Sequence, residues 1–423
     1  MVNWVFDRLD NFQTVSSCPI TVIRDDLTLE AGRFPIANLF WYWRWAEGWD
    51  KSGAHSWHCY NISDRPEKYV YCIGAWTDPS WWAGWEGNQH GHPCLFDLVP
   101  KEVMEDCRNN RALLVVDNLN EGFQTEQLYS FWHWSCDRHV IDPRNIVFMT
   151  SNLLDEEGYL EWAKKHTVSK LINVIGFCHL QYQQINCLST TYRNVAWQDH
   201  AKAKSMNGKN IKLFNCLNRV RRPHREYLML RLIDAGMHEQ GLISHDRLEH
   251  HTWMHYGISE DVMQKAVDML PLVVDDADFD NNKAMHINTD IYLRSWVSVV
   301  TETHAFDDPH SLFISEKPWK PVYALHPFMI LGHKNTLETM RAMGYRTFSG
   351  LLDESYDSTD FVSRTSIIIN NLSKLSVIRD KWGWLQECKE IVEHNKQVFL
   401  AQEIFNDPGI LRFLDIYNKL GTR

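Results

Sequence analysis

None of the ten cysteines, at positions 18, 59, 72, 94, 107, 136, 178, 187, 216 and 388 of this 423-residue chain, forms a C-x-x-C pair. That spacing indicates neither a zinc ribbon nor a redox dithiol, and reduced thiols in a cytoplasmic compartment are its simplest reading. No apolar run approaches the length that spans a bilayer, and the opening Met1-Val2-Asn3-Trp4-Val5-Phe6-Asp7-Arg8 lacks the basic and apolar regions of a signal peptide. A soluble protein without membrane contact is expected. Among 21 histidines there is no H-E-x-x-H. His250 and His251 are adjacent, His255 follows four residues after His251, and His90 and His92 are two apart, yet no acidic ligand sits at the expected offset. Structural or exposed roles are expected for them, and no metal site. Positive charge is scarce, with 43 Lys and Arg against 54 Asp and Glu and a formal charge of −11. This argues against nucleic-acid binding through the overall field, though not against a local basic groove. Internal repeats and low-complexity tracts are absent too.

What is there begins with bulk: 44% apolar and 23% charged residues are those of an ordinary globular protein. A single core stops growing well below this length, so two domains are expected. Tryptophan is abundant, 19 in all, nine of them between Trp41 and Trp85. Rigid amphipathic rings stack on sugars or bases and also serve as ordinary core. The cluster Trp76, Trp81, Trp82 and Trp85, set among Gly, Pro and Ser, is the one read as a recognition surface.

Taken in order, residues 1–100 are hard to read, with Tyr69–Ile73 a strand. Helical spacing over Leu98–Asn109, an apolar strand Ala112–Asp117 and a helix Thr125–Arg138 follow. Then come strand Asn145–Thr150, helix Asp155–His166 and strand Lys170–Ile175. Such alternation means βαβ units and parallel sheets. Residues 196–212 read as a linker into a second unit. There, strand Ile211–Leu217, a basic turn and helix Glu226–Gly236 open a new βα element, with Gly236 closing the helix. A strand Val297–Thr303, an apolar run Pro327–Gly332, helix Lys334–Met343, a short strand Tyr345–Phe348 and a helical stretch from about Arg364 to Leu420 complete the chain. Ligands of open parallel sheets bind beyond the carboxyl ends of the strands.

Two motifs carry chemistry. From His200 to Arg231 there are nine Lys or Arg against one acid, Glu226. Arg219, Arg221, Arg222 and Arg225 fall between a strand end and a helix N-terminus, where orphan N–H groups already favour an anion and guanidinium forks add bidentate phosphate contacts. A solvated basic loop is the plainer alternative. The second motif is Ser315-Glu316-Lys317-Pro318-Trp319-Lys320-Pro321. A carboxylate accepts from vicinal hydroxyls such as those of a ribose, and a neighbouring Lys neutralises a phosphate, two groups that a nucleotide presents side by side. A surface salt bridge at a turn is the alternative.

Phe214–Arg219 with Arg222-Pro223-His224-Arg225, then Glu316–Pro321, Pro327-Phe328, Gly344–Phe348 and Asp353–Asp357, together resemble phage- and virus-encoded glycosyltransferases of the GT-B architecture. The Ser-Glu-Lys step is also similar to the Thr-Glu-Lys step of the α1,3-fucosyltransferases. The resemblance implies an α/β, GT-B-like fold, two Rossmann-like domains facing a central cleft. Residues 1–205 would form an acceptor-binding domain and 206–423 a nucleotide-sugar-binding domain, the last helix packing back on the first. Carried over, Glu316 would hold ribose, Lys317 phosphate, and Arg219, Arg222 or Arg225 the diphosphate, with Lys320 also on the donor side. Pro318–Pro321 departs from the fucosyltransferases, leaving donor base and sugar open. A transferase of this kind needs a base for the acceptor hydroxyl, with Glu121 the first choice and Asp117 the second, both after an N-terminal strand. Either residue could instead cap its turn. No cofactor or metal is implied, and the similarity favours an inverting reaction. A hydroxymethylated base in phage DNA, flipped against Trp76, Trp81, Trp82 and Trp85, is one acceptor. A glycan or a protein is another, and a non-catalytic nucleotide-sugar or DNA-binding module remains the reading from a different class.

Overall fold

In the computed structural model, residues 3–6, 58–61, 65–74, 95–119, 122, 126–249, 252–274, 286–305 and 307–422 are described. The continuous apolar runs become strands buried on both faces, as parallel strands flanked by helices must be. Two units result, one of residues 1–179 with 404–423 and one of 180–403.

The first unit holds strands β1 (Asn3–Phe6), β2 (His58–Asn61), β3 (Tyr69–Gly74), β4 (Ala112–Asn118), β5 (Ile146–Thr150) and β6 (Asn173–Gly176) in the order β2-β1-β3-β4-β5-β6. Each described pairing is parallel. Helices α1 (Lys101–Arg108), α2 (Glu126–His139) and α3 (Asp155–Lys165) make the crossovers. An aromatic layer joins them to the sheet, with Trp132 of α2 at 5.3 Å between ring centroids from Phe148 of β5. The C-terminal helix Pro408–Asn418 belongs to this unit, started by Asp407, whose carboxylate accepts the Gly409 N–H at 2.8 Å. Its Arg412 donates to the Val174 carbonyl of edge strand β6 at 3.2 Å.

In the second unit β7 (Lys212–Asn218), β8 (Gly241–His245), β9 (Ser295–Thr301) and β10 (Phe328–Leu331) form a parallel sheet in the order β10-β9-β7-β8. Between β7 and β8 runs α6 (Pro223–Asp234), after α4 (His179–Thr191) and α5 (Trp197–Met206). It ends where Gly236, at φ +66°, takes the left-handed turn and Met237 N–H reaches back to the Leu232 carbonyl at 2.9 Å. Helices α7 (Glu260–Met269), α8 (Thr289–Leu293) and α9 (Trp319–Tyr323) follow. The fold class is therefore α/β, with two Rossmann-like units in succession, each built on a parallel sheet.

Three local expectations are corrected. Residues 196–212, read as a linker, contain helix α5, which counts with the second unit. The reason is Lys204, fully buried and donating to the carbonyls of Tyr292, at 2.6 Å, and Ser295. A lysine in a polar stretch looks solvated, but its long stem lets an amine reach inward. Tyr345–Phe348 is not a strand: the Asn395 side chain accepts from Arg346 N–H at 2.7 Å and donates to its carbonyl at 2.8 Å, doing what a neighbouring strand would. The final helical stretch is broken into Phe361–Val377, Lys381–Glu387, Lys389–Ala401 and Pro408–Asn418, with Asp380 and Asp407 as new caps.

Burial pushes the Lys204 pKa down to about 7 from 10.5. The unfolded chain then binds more protons than the folded one between those values, so stability rises with pH across that window. Lys204→Met is expected to flatten this rise and, at pH 9, to cost about 1–3 kcal/mol for the Tyr292 carbonyl it leaves without the ammonium, the Ser295 carbonyl keeping the His326 Nε2–H at 2.8 Å. Urea unfolding at pH 7 and pH 9 measures both; an unchanged midpoint and slope would show that Lys204 holds neither carbonyl.

Candidate functional site

In the second unit the chain passes from β7 to β8 on one flank, while β9 pairs with β7 on the other. The strand order therefore reverses between β7 and β9, and a crevice at the carboxyl ends of the strands is the geometric consequence. A cavity of about 270 Å³ lies there, with Asn215 and Leu217 of β7 and Ser298 and Val300 of β9 in its wall. Arg219, Arg222, Arg225, Glu316, Lys317 and Lys320 all line it, so the two motifs singled out in the sequence, about a hundred residues apart, meet in one place. Five cations face one carboxylate.

The basic turn is built by strand and helix together. Asn218 ends β7 and accepts from the Thr301 hydroxyl at the end of β9, tying the two strand ends. Pro223, at the first position of α6, has its φ preset for the helix and no N–H to satisfy. The four arginines then divide. Arg221 points outward to Asp246 and Glu249, at 3.4 and 2.5 Å. Arg225 is buried, donating to the carbonyls of Val220 at 2.8 Å and Glu302 at 3.1 Å. Burial, with the charge of Arg222, brings its pKa down to about 10, against the pull of Glu316 and Glu302, so it remains a cation at neutral pH. Arg219 and Arg222 line the cavity beside it.

The Ser315–Lys317 loop is held from behind. Glu302, fully buried just past β9, accepts the Ser315 N–H at 3.1 and 3.3 Å and the Thr303 N–H at 3.2 Å. Burial raises its pKa, partly offset by the Lys317 charge and the Ser315 N–H. The Lys317 ammonium donates to Glu316 at 2.8 Å, Thr303 Oγ1 at 3.2 Å and Ser315 Oγ at 3.3 Å. Burial alone would raise the Glu316 pKa, but Lys317 and then Lys320 outweigh it and hold the carboxyl down to about 2. His304 senses the same field: burial first, then His333, Arg222, Lys317 and Arg225, bring its imidazole down to about 4. A preorganised cationic pocket with one ionised carboxylate suits an anion carrying neighbouring hydroxyls.

No protein-family model and no curated protein matches the chain. Among solved structures it is similar to the N-terminal domain of trehalose-6-phosphate phosphatase from Candida albicans, at 8% identity over 84% of this chain and 71% of that one, TM-score 0.43. It is also similar to Anabaena HepE in complex with UDP and glucose, at 11% over 83% and 92%, TM-score 0.39. A third is UDP-GlcNAc 2-epimerase from Neisseria meningitidis bound to UDP-GlcNAc, at 12% over 78% and 76%, TM-score 0.27. At that distance the site rests on its own geometry.

Elsewhere, Asp117 is fully buried at the end of β4 in the first unit, where its carboxylate accepts the Leu119 N–H at 3.0 Å, an Asx-type turn. Glu121 and Trp76, Trp81, Trp82 and Trp85 lie outside the described residues. Trp319, inside the second motif, is core, its ring 5.3 Å from Tyr345 and 6.1 Å from Phe399 between centroids. Among the described residues no group of three or more His, Cys, Asp or Glu is placed to hold a metal, and no helix is long and apolar enough to cross a membrane. Sequence reasoning missed Glu302 and Thr303. An acid just past a valine-rich parallel strand was the signal available.

Because the folded pKa of Glu316 is depressed to about 2 from 4.5, its pairing adds stability above about pH 4.5 that is lost as pH falls towards 2. Glu316→Gln is expected to remove that acid-limb loss in thermal unfolding between pH 3 and pH 6, and an identical limb would exclude the pairing.

Proposed function

We propose that the protein is a glycosyltransferase of the GT-B kind. In this reading the cavity of the second unit takes a nucleotide sugar, and the first unit supplies the acceptor site and the base. The observation that carries it is the meeting of Arg219, Arg222, Lys317 and Lys320 with Glu316 at the switch point of a parallel sheet. Glu316 accepts the ribose hydroxyls. Lys317, Lys320 and the arginines neutralise the diphosphate and stabilise it as it leaves, which makes a divalent metal unnecessary. Glu121, or next Asp117, takes the proton of the acceptor hydroxyl, and the sugar is transferred with inversion.

The acceptor we favour is a hydroxymethylated base in phage DNA, swung out of the duplex, so the enzyme would work in the host cytoplasm. What supports it is the resemblance of the ordered motifs to phage-type enzymes, together with the local basic excess of residues 202–231 in an acidic chain. A glycan or protein acceptor would use the same donor site.

Titration with a panel of nucleoside diphosphates and sugar nucleotides tests the donor site. Lys317→Ala is expected to weaken the diphosphate that binds best by about 10–100-fold, the worth of one charged hydrogen bond. An unchanged dissociation constant would remove Lys317 from the site. For the reaction, Glu121→Ala should abolish sugar transfer while leaving diphosphate binding intact, and chelation should leave turnover unchanged. A DNA acceptor further requires affinity that falls steeply between 50 and 200 mM salt, by roughly 10³-fold or more for six or more phosphate contacts. Salt-insensitive binding excludes that acceptor.

A further inference from the structure

Glu302 lies behind the cavity wall, between the two loops that make the site. Its carboxylate takes the backbone N–H groups of Ser315 and Thr303. Its own carbonyl takes the His224 Nε2–H at 2.8 Å and the Arg225 guanidinium at 3.1 Å. One residue thus touches the Ser315–Lys317 loop through its side chain and the start of α6, which carries the basic turn, through its backbone. Thr303 and Ser315, the two residues whose N–H groups it holds, are also the two whose hydroxyls receive the Lys317 ammonium. The seat for Glu302 is made by Gly332 at the end of β10: a Cβ there would stand 3.0 Å from Glu302 Cγ and 3.2 Å from Thr336 Oγ1. Gly332 is in turn fixed by Arg364, which donates to its carbonyl and, at 3.0 Å, to that of Ala305.

We propose that Glu302 is the positioning residue of this cavity, holding the arginine turn and Lys317 at the spacing that receives a diphosphate. This rests on the nucleotide reading of the site. A buried carboxylate ringed by N–H donors is tolerated because both oxygens are satisfied. An amide in its place keeps the shape but turns an NH₂ towards those donors. Lys317 then loses its fixed hydroxyl partners, and the phosphate end of the cavity loosens most, while Asn215, Ile287 and Tyr292, which also line the cavity, lie outside this set of hydrogen bonds and keep their places.

The test is the affinity of the full chain for UDP, GDP and ADP by calorimetry and for the matching nucleoside by NMR titration. Glu302→Gln is expected to weaken the diphosphate that binds best by about tenfold or more, with a clearly smaller loss for the nucleoside, which lacks the phosphates that Lys317 meets. Gly332→Ala, which pushes on Glu302 without changing a polar group, is expected to act in the same direction. It decides the matter if the glutamine variant does not fold. Equal losses for diphosphate and nucleoside, or diphosphate affinity unchanged in both variants, overturn the proposal and leave the nucleotide reading standing. If none of the three diphosphates binds the unmodified protein, the nucleotide reading fails and the positioning role fails with it.

Discussion

The second unit depends on a carboxyl group placed where charge is costly. Glu302 is fully buried, and an isolated carboxylate in such a place would cost many kcal/mol or protonate. It is kept by backbone donors and by Lys317, and the result is a rigid corner where β9, the Ser315–Lys317 loop and the start of α6 meet. Removing the carboxylate would leave two backbone N–H groups and a lysine without their common reference. The order of the sheet explains why the corner falls there. β7 and β9 are the strands between which the direction of winding reverses, so the loops leaving them diverge and leave room.

The basic turn shows how similar side chains are put to different physical uses within seven residues. Arg221 is paired with two carboxylates in water, an arrangement worth little. Arg225 is spent on the interior, its guanidinium closing backbone carbonyls that have no strand or helix partner. Arg219 and Arg222 face the cavity. The lowered pKa of His304 comes first from burial and then from His333, with Arg222, Lys317 and Arg225 adding to it, so the cations of the site are felt by a neighbouring imidazole. Like charges gathered round one carboxylate repel one another, and an entering anion would relieve that repulsion.

How much of this could be read from the sequence depended on the range of the interaction. Strand and helix periodicity is local, so the runs around Ala112–Asn118 and Ile146–Thr150 were found within a residue or two. Motif chemistry is also local, and Glu316-Lys317 together with Arg219–Arg225 stood out because each is a dense patch of charge between a strand and a helix. Their meeting required only that both follow strands of one parallel sheet. Glu302 was not legible, because its importance comes from Ser315, thirteen residues later, and from His224 and Arg225, almost eighty residues earlier. Lys204 in a supposed linker and Asn395 standing in for a strand beside Arg346 failed for the same reason. In each case one side chain serves a backbone far away in sequence, and composition carries no trace of it.

Lys317 shows why such hidden supports matter for binding. A lysine on the surface has four rotatable bonds and about 2 kcal/mol of side-chain entropy to lose when it meets a phosphate. Here the ammonium is already held by Glu316, Thr303 and Ser315, so that loss has been met during folding. The bonds to the two hydroxyls are neutral-acceptor bonds, weaker than one to a phosphate oxygen. On the nucleotide reading proposed above, an arriving phosphate would displace the hydroxyls and leave the Glu316 pair largely intact, keeping the carboxylate beside the ammonium to meet a ribose on the same ligand. The adjacency of acid and base in sequence thus acts as a fixed distance between two recognition groups, and that distance is set by Glu302 from behind.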